Sequence, residues 1–141
     1  MKSPIRWRIY VPTAPENVYE LLATDKGRKK FWVEESREEN GTIRFDFING
    51  QSITSRIIEN VPPSRFVLTY FDQSTVRFEI TADGRGGTDL LMEETGVPES
   101  TWHENYAGWL CVLLGLKAAV LGIDLRSHDP QRTWDQGYVD V

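Results

Sequence analysis

The sequence predicts an α+β domain in which a curved antiparallel sheet of six to seven strands wraps around one long C-terminal helix, with two short helices after the first strand. Three observations carry that expectation. The N-terminus alternates apolar and polar residues, the middle of the chain is a series of short β-type runs cut by turn signals, and the end is a helical pattern too broad for a single neighbouring helix to cover.

Ile5, Trp7, Ile9 and Val11 alternate with Arg6, Arg8 and Tyr10, the period of a half-buried strand, and Pro12 ends it. Thr13 is expected to cap a helix that opens at Ala14-Pro15-Glu16 and buries Val18, Leu21 and Leu22. A second short helix is expected from Asp25 to Phe31. From Glu34 to Glu94, turn signals at Asn40-Gly41, Asn49-Gly50, Pro62-Pro63 and Asp83-Gly84 set the rhythm of a meander. Ile43, Phe45 and Phe47 share one strand face, as do Val76, Phe78 and Ile80, while Arg44, Asp46, Arg77 and Glu79 lie opposite; one side of the sheet is dry and the other wet. Pro98-Glu99-Ser100 opens the last helix, where Trp102, Tyr106, Trp109, Leu110, Leu113, Leu114, Leu116, Val120 and Leu121 recur at helical steps. Roughly 20 residues of helix span about 30 Å, long enough to lie across a whole sheet. Residues 1–141 read as one domain, with 126–141 a polar C-terminal tail whose Trp134 and Tyr138 give it apolar area to dock.

Bulk properties exclude several function classes. A formal net charge of −5 and a pI near 5.1 oppose binding to a phosphate backbone, so nucleic acid is not an expected partner. Cys111 is the single cysteine and sits among Leu110, Val112 and Leu113, which predicts a buried, inert thiol, no disulfide and no cysteine-based zinc site. Neither a secretory signal nor a run approaching the roughly 20 apolar residues of a membrane span is visible, so a cytoplasmic location is expected. His103 and His128 are far apart and lack a metal-ligand pattern, and neither a metal nor a cofactor is implied. No Gly-x-Ser-x-Gly elbow occurs, and Gly84-Arg85-Gly86-Gly87 lacks the Lys-Ser/Thr pair of a phosphate loop and reads as a hairpin turn.

The remaining candidates belong to the dry face. Tyr106, Trp109 and Leu113 of the last helix can line a ligand cavity opposite Phe45, Phe47, Phe78 and Met92, or pack as plain core. Glu94 continues the parity of Leu90 and Met92, and Tyr70 that of Phe66 and Leu68. A carboxylate there can anchor a ligand hydroxyl or move a proton, with burial raising its pKa; the alternative is a strand end in water. His128-Asp129 reads either as a dyad or as a turn. Ala107, Gly108, Cys111, Gly115, Ala118, Ala119 and Gly122 crowd the last helix with small residues, which calls for a close neighbour: the sheet, a ligand or a dimer partner.

Together with the order of elements, four segments carry a resemblance: Val11-Pro12-Thr13-Ala14-Pro15-Glu16-Asn17-Val18-Tyr19, the stretch Ile57-Ile58-Glu59-Asn60-Val61-Pro62-Pro63-Ser64-Arg65-Phe66-Val67, Gly87-Thr88-Asp89-Leu90, and Gly108-Trp109. The chain resembles the START-like (SRPBCC, birch-pollen-allergen-like) superfamily, and within it the heat-shock-protein-90 ATPase activator homologue branch in its single-domain bacterial form. The segment from His128 to Tyr138 looks like the ending of some of those members. The resemblance implies a helix-grip fold and an apolar cavity between sheet and helix that takes lipids, sterols, polyketides or similar molecules. The eukaryotic cochaperones of that branch carry an additional N-terminal domain, for which a chain of 141 residues is expected to have no room, so chaperone activation is not the expected role. The expected function is a binding or carrier protein for a small hydrophobic molecule, with a homodimer as the candidate assembly and no catalytic residue assigned. Two alternatives are an enzyme of cyclase or lyase type, with Glu94 or Tyr70 transferring a proton, and a cochaperone-like interaction module.

Overall fold

The structure, a computed structural model, describes residues 3–138. Strand β1 (Ile5–Val11) leads into helices α1 (Pro15–Ala23) and α2 (Asp25–Arg28). Six strands follow, β2 (Glu35–Glu39), β3 (Thr42–Asp46), β4 (Ser52–Val61), β5 (Arg65–Thr69), β6 (Thr75–Ala82) and β7 (Thr88–Thr95), and then helix α3 (Trp102–Val120). They form one seven-stranded antiparallel sheet in the order β1-β7-β6-β5-β4-β3-β2, so the meander is continuous and β1 returns beside β7. This is the expected α+β architecture, with the sheet at the upper end of the expected strand number.

Turn chemistry sets the register. Asn40 and Gly41 take φ of 52° and 78°, the left-handed pair that joins two twisted strands through two residues, and Glu39 faces Thr42 across that turn. Alternation then puts Ile43, Phe45, Phe66, Leu68, Val76, Phe78, Leu90 and Met92 on the inner face, all fully buried. The outer face carries a row of alternating charge: Arg6 pairs with Glu93, Arg77 sits opposite Glu93, and Arg65 bonds both Glu79 and Glu59. Such exposed pairs contribute little stability each, but they keep the wet face soluble and in register.

Helix ends depart from expectation in small ways with clear causes. The cap of α1 is Ala14, not Thr13: its extended backbone offers its carbonyl to Asn17 and Val18, Pro15 takes the first helical position, and the Thr13 hydroxyl instead accepts from the Asn17 amide. Helix α2 stops at Arg28 rather than Phe31, because the Arg28 carbonyl receives the N–H groups of Phe31, Trp32 and Val33 and the chain tightens into turns. Gly27 is required there, since a Cβ would lie 2.3 Å from the Glu20 carbonyl oxygen of α1. Helix α3 ends in a Schellman motif, with Gly122 at φ 77° donating to the Ala119 carbonyl and Ile123 to that of Ala118.

Arg28 is fully buried, which sequence pattern did not suggest. Its guanidinium donates to the Leu22 carbonyl, the Ser36 hydroxyl and the Asp25 carboxylate and lies over the Phe45 ring, tying α1, α2, β2 and β3 together. Asp25 is partly desolvated, which opposes its ionisation, yet the Glu38 N–H, Ser36 and Arg28 together hold its carboxyl below the usual range.

Helix α3 buries Trp109, Leu113, Gly115 and Leu116. Its N-terminal half is fastened to β1, where the Trp7 indole donates to the Tyr106 carbonyl at 2.8 Å and Trp7 and Trp102 both lie against the Tyr106 ring. The broad apolar stripe is covered on one side only: Leu114 and Leu121 are 45% and 68% exposed. Cys111 is likewise exposed, which overturns the expected buried thiol. Apolar sequence neighbours on a helix point in different directions and do not shield one another. Of the two tail aromatics, Trp134 docks with its ring 5.5 Å from that of Phe47, whereas Tyr138 stays 60% exposed.

Candidate functional site

A cleft of about 470 Å³ opens between one side of α3, the loop after α2, the Phe47–Gln51 turn, the Tyr70–Asp72 segment and the C-terminal tail. Its inner wall consists of Trp32, Tyr70 and Trp109. The three rings touch one another, with centroids 5.9 Å (Trp32–Tyr70), 5.2 Å (Tyr70–Trp109) and 5.8 Å (Trp32–Trp109) apart. Phe47, Phe71 and Trp134 extend the aromatic lining outward. Gly108 faces the cleft, and a Cβ there would meet nothing within 4 Å, so the missing side chain leaves open volume.

Both indole N–H groups of the wall are already bonded, one to a carboxylate behind it and one within it. Trp109 Nε1 donates to Glu94 Oε1 at 2.7 Å, and Trp32 Nε1 donates to the Tyr70 hydroxyl at 3.0 Å. Glu94 is fully buried, which excludes the alternative of a strand end in water. Its other oxygen, Oε2, accepts from the Ser74 hydroxyl at 2.6 Å, and the Asn105 amide lies 3.5 Å from Oε1. The turn Phe71–Gln73, with Asp72 and Gln73 at φ of 55° and 59°, brings Ser74 under Glu94. Burial pushes the Glu94 pKa up; the Ser74, Trp109 and Asn105 donors oppose that, and the Asp72 charge adds to it. Burial raises the Tyr70 phenol too, so it remains an O–H group across the working pH range.

The tail closes the outer side through ionic contacts. Arg126 donates to the carbonyls of Val33 and Lys29 and to both oxygens of Asp124. His128, at φ 56°, sits between two carboxylates, with Nδ1 2.7 Å from Glu34 and Nε2 2.8 Å from Asp124. Those two partners raise its pKa, and Arg126 holds Asp124 far below the usual carboxylate range. The imidazole therefore pairs with Glu34 and Asp124, and Asp129 is not its partner.

The candidate residues fall into three groups. Phe47, Tyr70 and Trp109 line the cleft. Phe45, Phe78, Met92 and Leu113 are fully buried in the core behind it, and Glu94 is the buried acceptor behind Trp109. Tyr106 lies toward β1, between Trp7 and Trp102. Sequence reading missed Trp32, Phe71, Ser74 and Arg126. For Trp32 a signal existed, an aromatic pair Phe31-Trp32 between α2 and β2 with no strand pattern to absorb it. Among the described residues no group of His, Cys, Asp and Glu side chains is arranged to hold a metal ion, and no helix is long and apolar enough to cross a membrane.

No family model and no curated protein matches the sequence. Solved structures do match the fold. Protein SSP2350 from Staphylococcus saprophyticus superimposes with a TM-score of 0.78 at 19% identity, covering 88% of this chain and 96% of its own. The Aha1 dimer from Colwellia psychrerythraea gives 0.74 at 23% identity over 84% of this chain and 96% of its own. The AHSA1-like protein from Aeromonas hydrophila gives 0.70 at 16% identity over 88% and 99%. Such identities carry the fold and its topology. The chain accordingly has a helix-grip α+β fold of the form seen in the Aha1 dimer and the AHSA1-like structure.

Proposed function

We propose that this chain is a binding or carrier protein for a small hydrophobic molecule held in the cleft between α3, the sheet and the tail. The observation that carries the reading is the wall of three mutually touching rings, Trp32, Tyr70 and Trp109, opening on about 470 Å³, a volume within the range of small-molecule sites. Rigid aromatic rings whose indole N–H groups are already bonded present an apolar surface at little entropic cost. Glu94 supports binding rather than proton transfer, since each of its oxygens already accepts a hydrogen bond and it lies behind the wall. A reducing, cytoplasmic setting suits the free thiol at Cys111.

Native mass spectrometry of freshly purified protein tests the proposal. A co-purifying hydrophobic mass that is released on denaturation supports it. Apo protein alone, together with no binding by a panel of hydrophobic probes, contradicts it.

A second reading, self-association, is favoured by the exposed apolar side chains Leu114, Leu121, Ile123 and Leu125 on and after α3. Light scattering across concentration should give a dimer mass that Leu121→Glu reduces; a monomer at every concentration contradicts it.

A further inference from the structure

We infer that the Tyr70 hydroxyl is the ligand's hydrogen-bond donor, and that the cleft selects flat apolar molecules bearing a neutral carbonyl oxygen. The inference rests on the binding reading above and adds the chemical class of the guest. The wall has three polar groups, and the two indole N–H groups are committed to Glu94 and to the Tyr70 oxygen. Accepting from Trp32 occupies one lone pair of the phenol and leaves its proton free, with no acceptor among the described residues. A phenol that accepts one hydrogen bond is polarised into a better donor for a second. Tyr70 lines the cleft and its phenol is buried; a buried donor is costly to leave unpaired, so a guest with an acceptor within its reach is preferred over the same outline without one.

Charge narrows the acceptor further. Asp72 lines the cleft beside Tyr70, and the Glu94 carboxylate is close enough to disfavour a phenolate. An anionic guest at this wall would meet repulsion. The cations that would offset it are already engaged: Arg126 with Asp124 and two backbone carbonyls, His128 with Glu34 and Asp124, and Arg132 with Asp129. A carboxylate-bearing guest thus finds no free partner, whereas a ketone-type carbonyl needs only the phenol.

The test uses two probes of the same outline, acetylnaphthalene and ethylnaphthalene, titrated against the full chain by calorimetry. In the wild type the ketone should bind more tightly. Tyr70→Phe should weaken the ketone by about three- to tenfold, the scale of one neutral hydrogen bond, and leave the hydrocarbon unchanged. Trp32→Phe, which removes the indole donor and keeps the phenol, should retain the ketone preference. Equal loss for both probes in Tyr70→Phe, or no loss for either, overturns the inference and leaves the cleft reading standing. Failure of both probes to bind the wild type overturns both. If Tyr70→Phe does not fold, the infrared carbonyl stretch of acetylnaphthalene bound to the wild type decides: a shift to lower frequency supports the inference, and the frequency found in apolar solvent overturns it.

Discussion

Trp109 on α3 donates its indole N–H to Glu94 on β7 across 2.7 Å, joining the helix to the inner face of the sheet through a buried carboxylate. Glu94→Ala strands that indole and the Ser74 hydroxyl and opens a void. We expect a loss of about 2–4 kcal/mol in denaturant unfolding. Glu94→Gln keeps an acceptor for Trp109 and removes the buried charge. Because burial raises the folded pKa above the ordinary carboxylate value, the wild type binds a proton more tightly when folded and loses stability as pH rises from that ordinary value through the folded pKa. Glu94→Gln should lose that pH dependence and match or exceed the wild type at neutral pH. A Gln variant as damaged as the Ala variant would contradict this account.

The second expectation concerns His128. An imidazole can donate to Glu34 and Asp124 at once only as the cation. Its pKa is raised, so the stabilisation is complete below about 6.5 and fades as pH climbs through the folded value. Comparing the wild type with His128→Gln, the difference in melting temperature should be largest near pH 6 and shrink by pH 9. A difference that is flat or grows with pH would show that the contact does not hold the tail as described.

Arg28 supplies a third. Arg28→Met keeps much of the volume under Phe45 but leaves Ser36, Asp25 and the Leu22 carbonyl short of a donor. Breaking such a buried site from one side costs about 3–5 kcal/mol. Urea unfolding of the variant within 1 kcal/mol of wild type, a small fraction of that loss, would contradict it.

Much of the fold was legible because the sheet is half wet. Ile43 and Phe45 against Arg44, and Val76 and Phe78 against Arg77, give each strand an unambiguous inner side. The helix was less so: α3 is apolar around most of its circumference, and periodicity does not say which sector the sheet covers, so Leu114, Leu121 and Cys111 were misread as covered. Parity brought Glu94, Tyr70 and Phe47 to the correct face, but Ser74 and Trp32 come from irregular turns whose geometry no period encodes.

Cys111 lines the cleft, which turns that misreading into a fourth expectation. Iodoacetamide should modify the native thiol at a rate close to that in denaturant, and a bound hydrophobic guest should slow it. Native protein that resists modification would contradict the exposed placement.

The most direct measurement uses Gly108, whose absent side chain leaves the cleft open from α3. Gly108→Leu should keep or raise the melting temperature, since leucine is favoured over glycine in a helix by nearly 1 kcal/mol, while its side chain fills the cleft. Titrated with N-phenyl-1-naphthylamine, the wild type should show dye enhancement and quenching of Trp109, and the variant neither. A folded Gly108→Leu protein that binds the dye as tightly as the wild type would contradict the central claim that this cleft is the binding site.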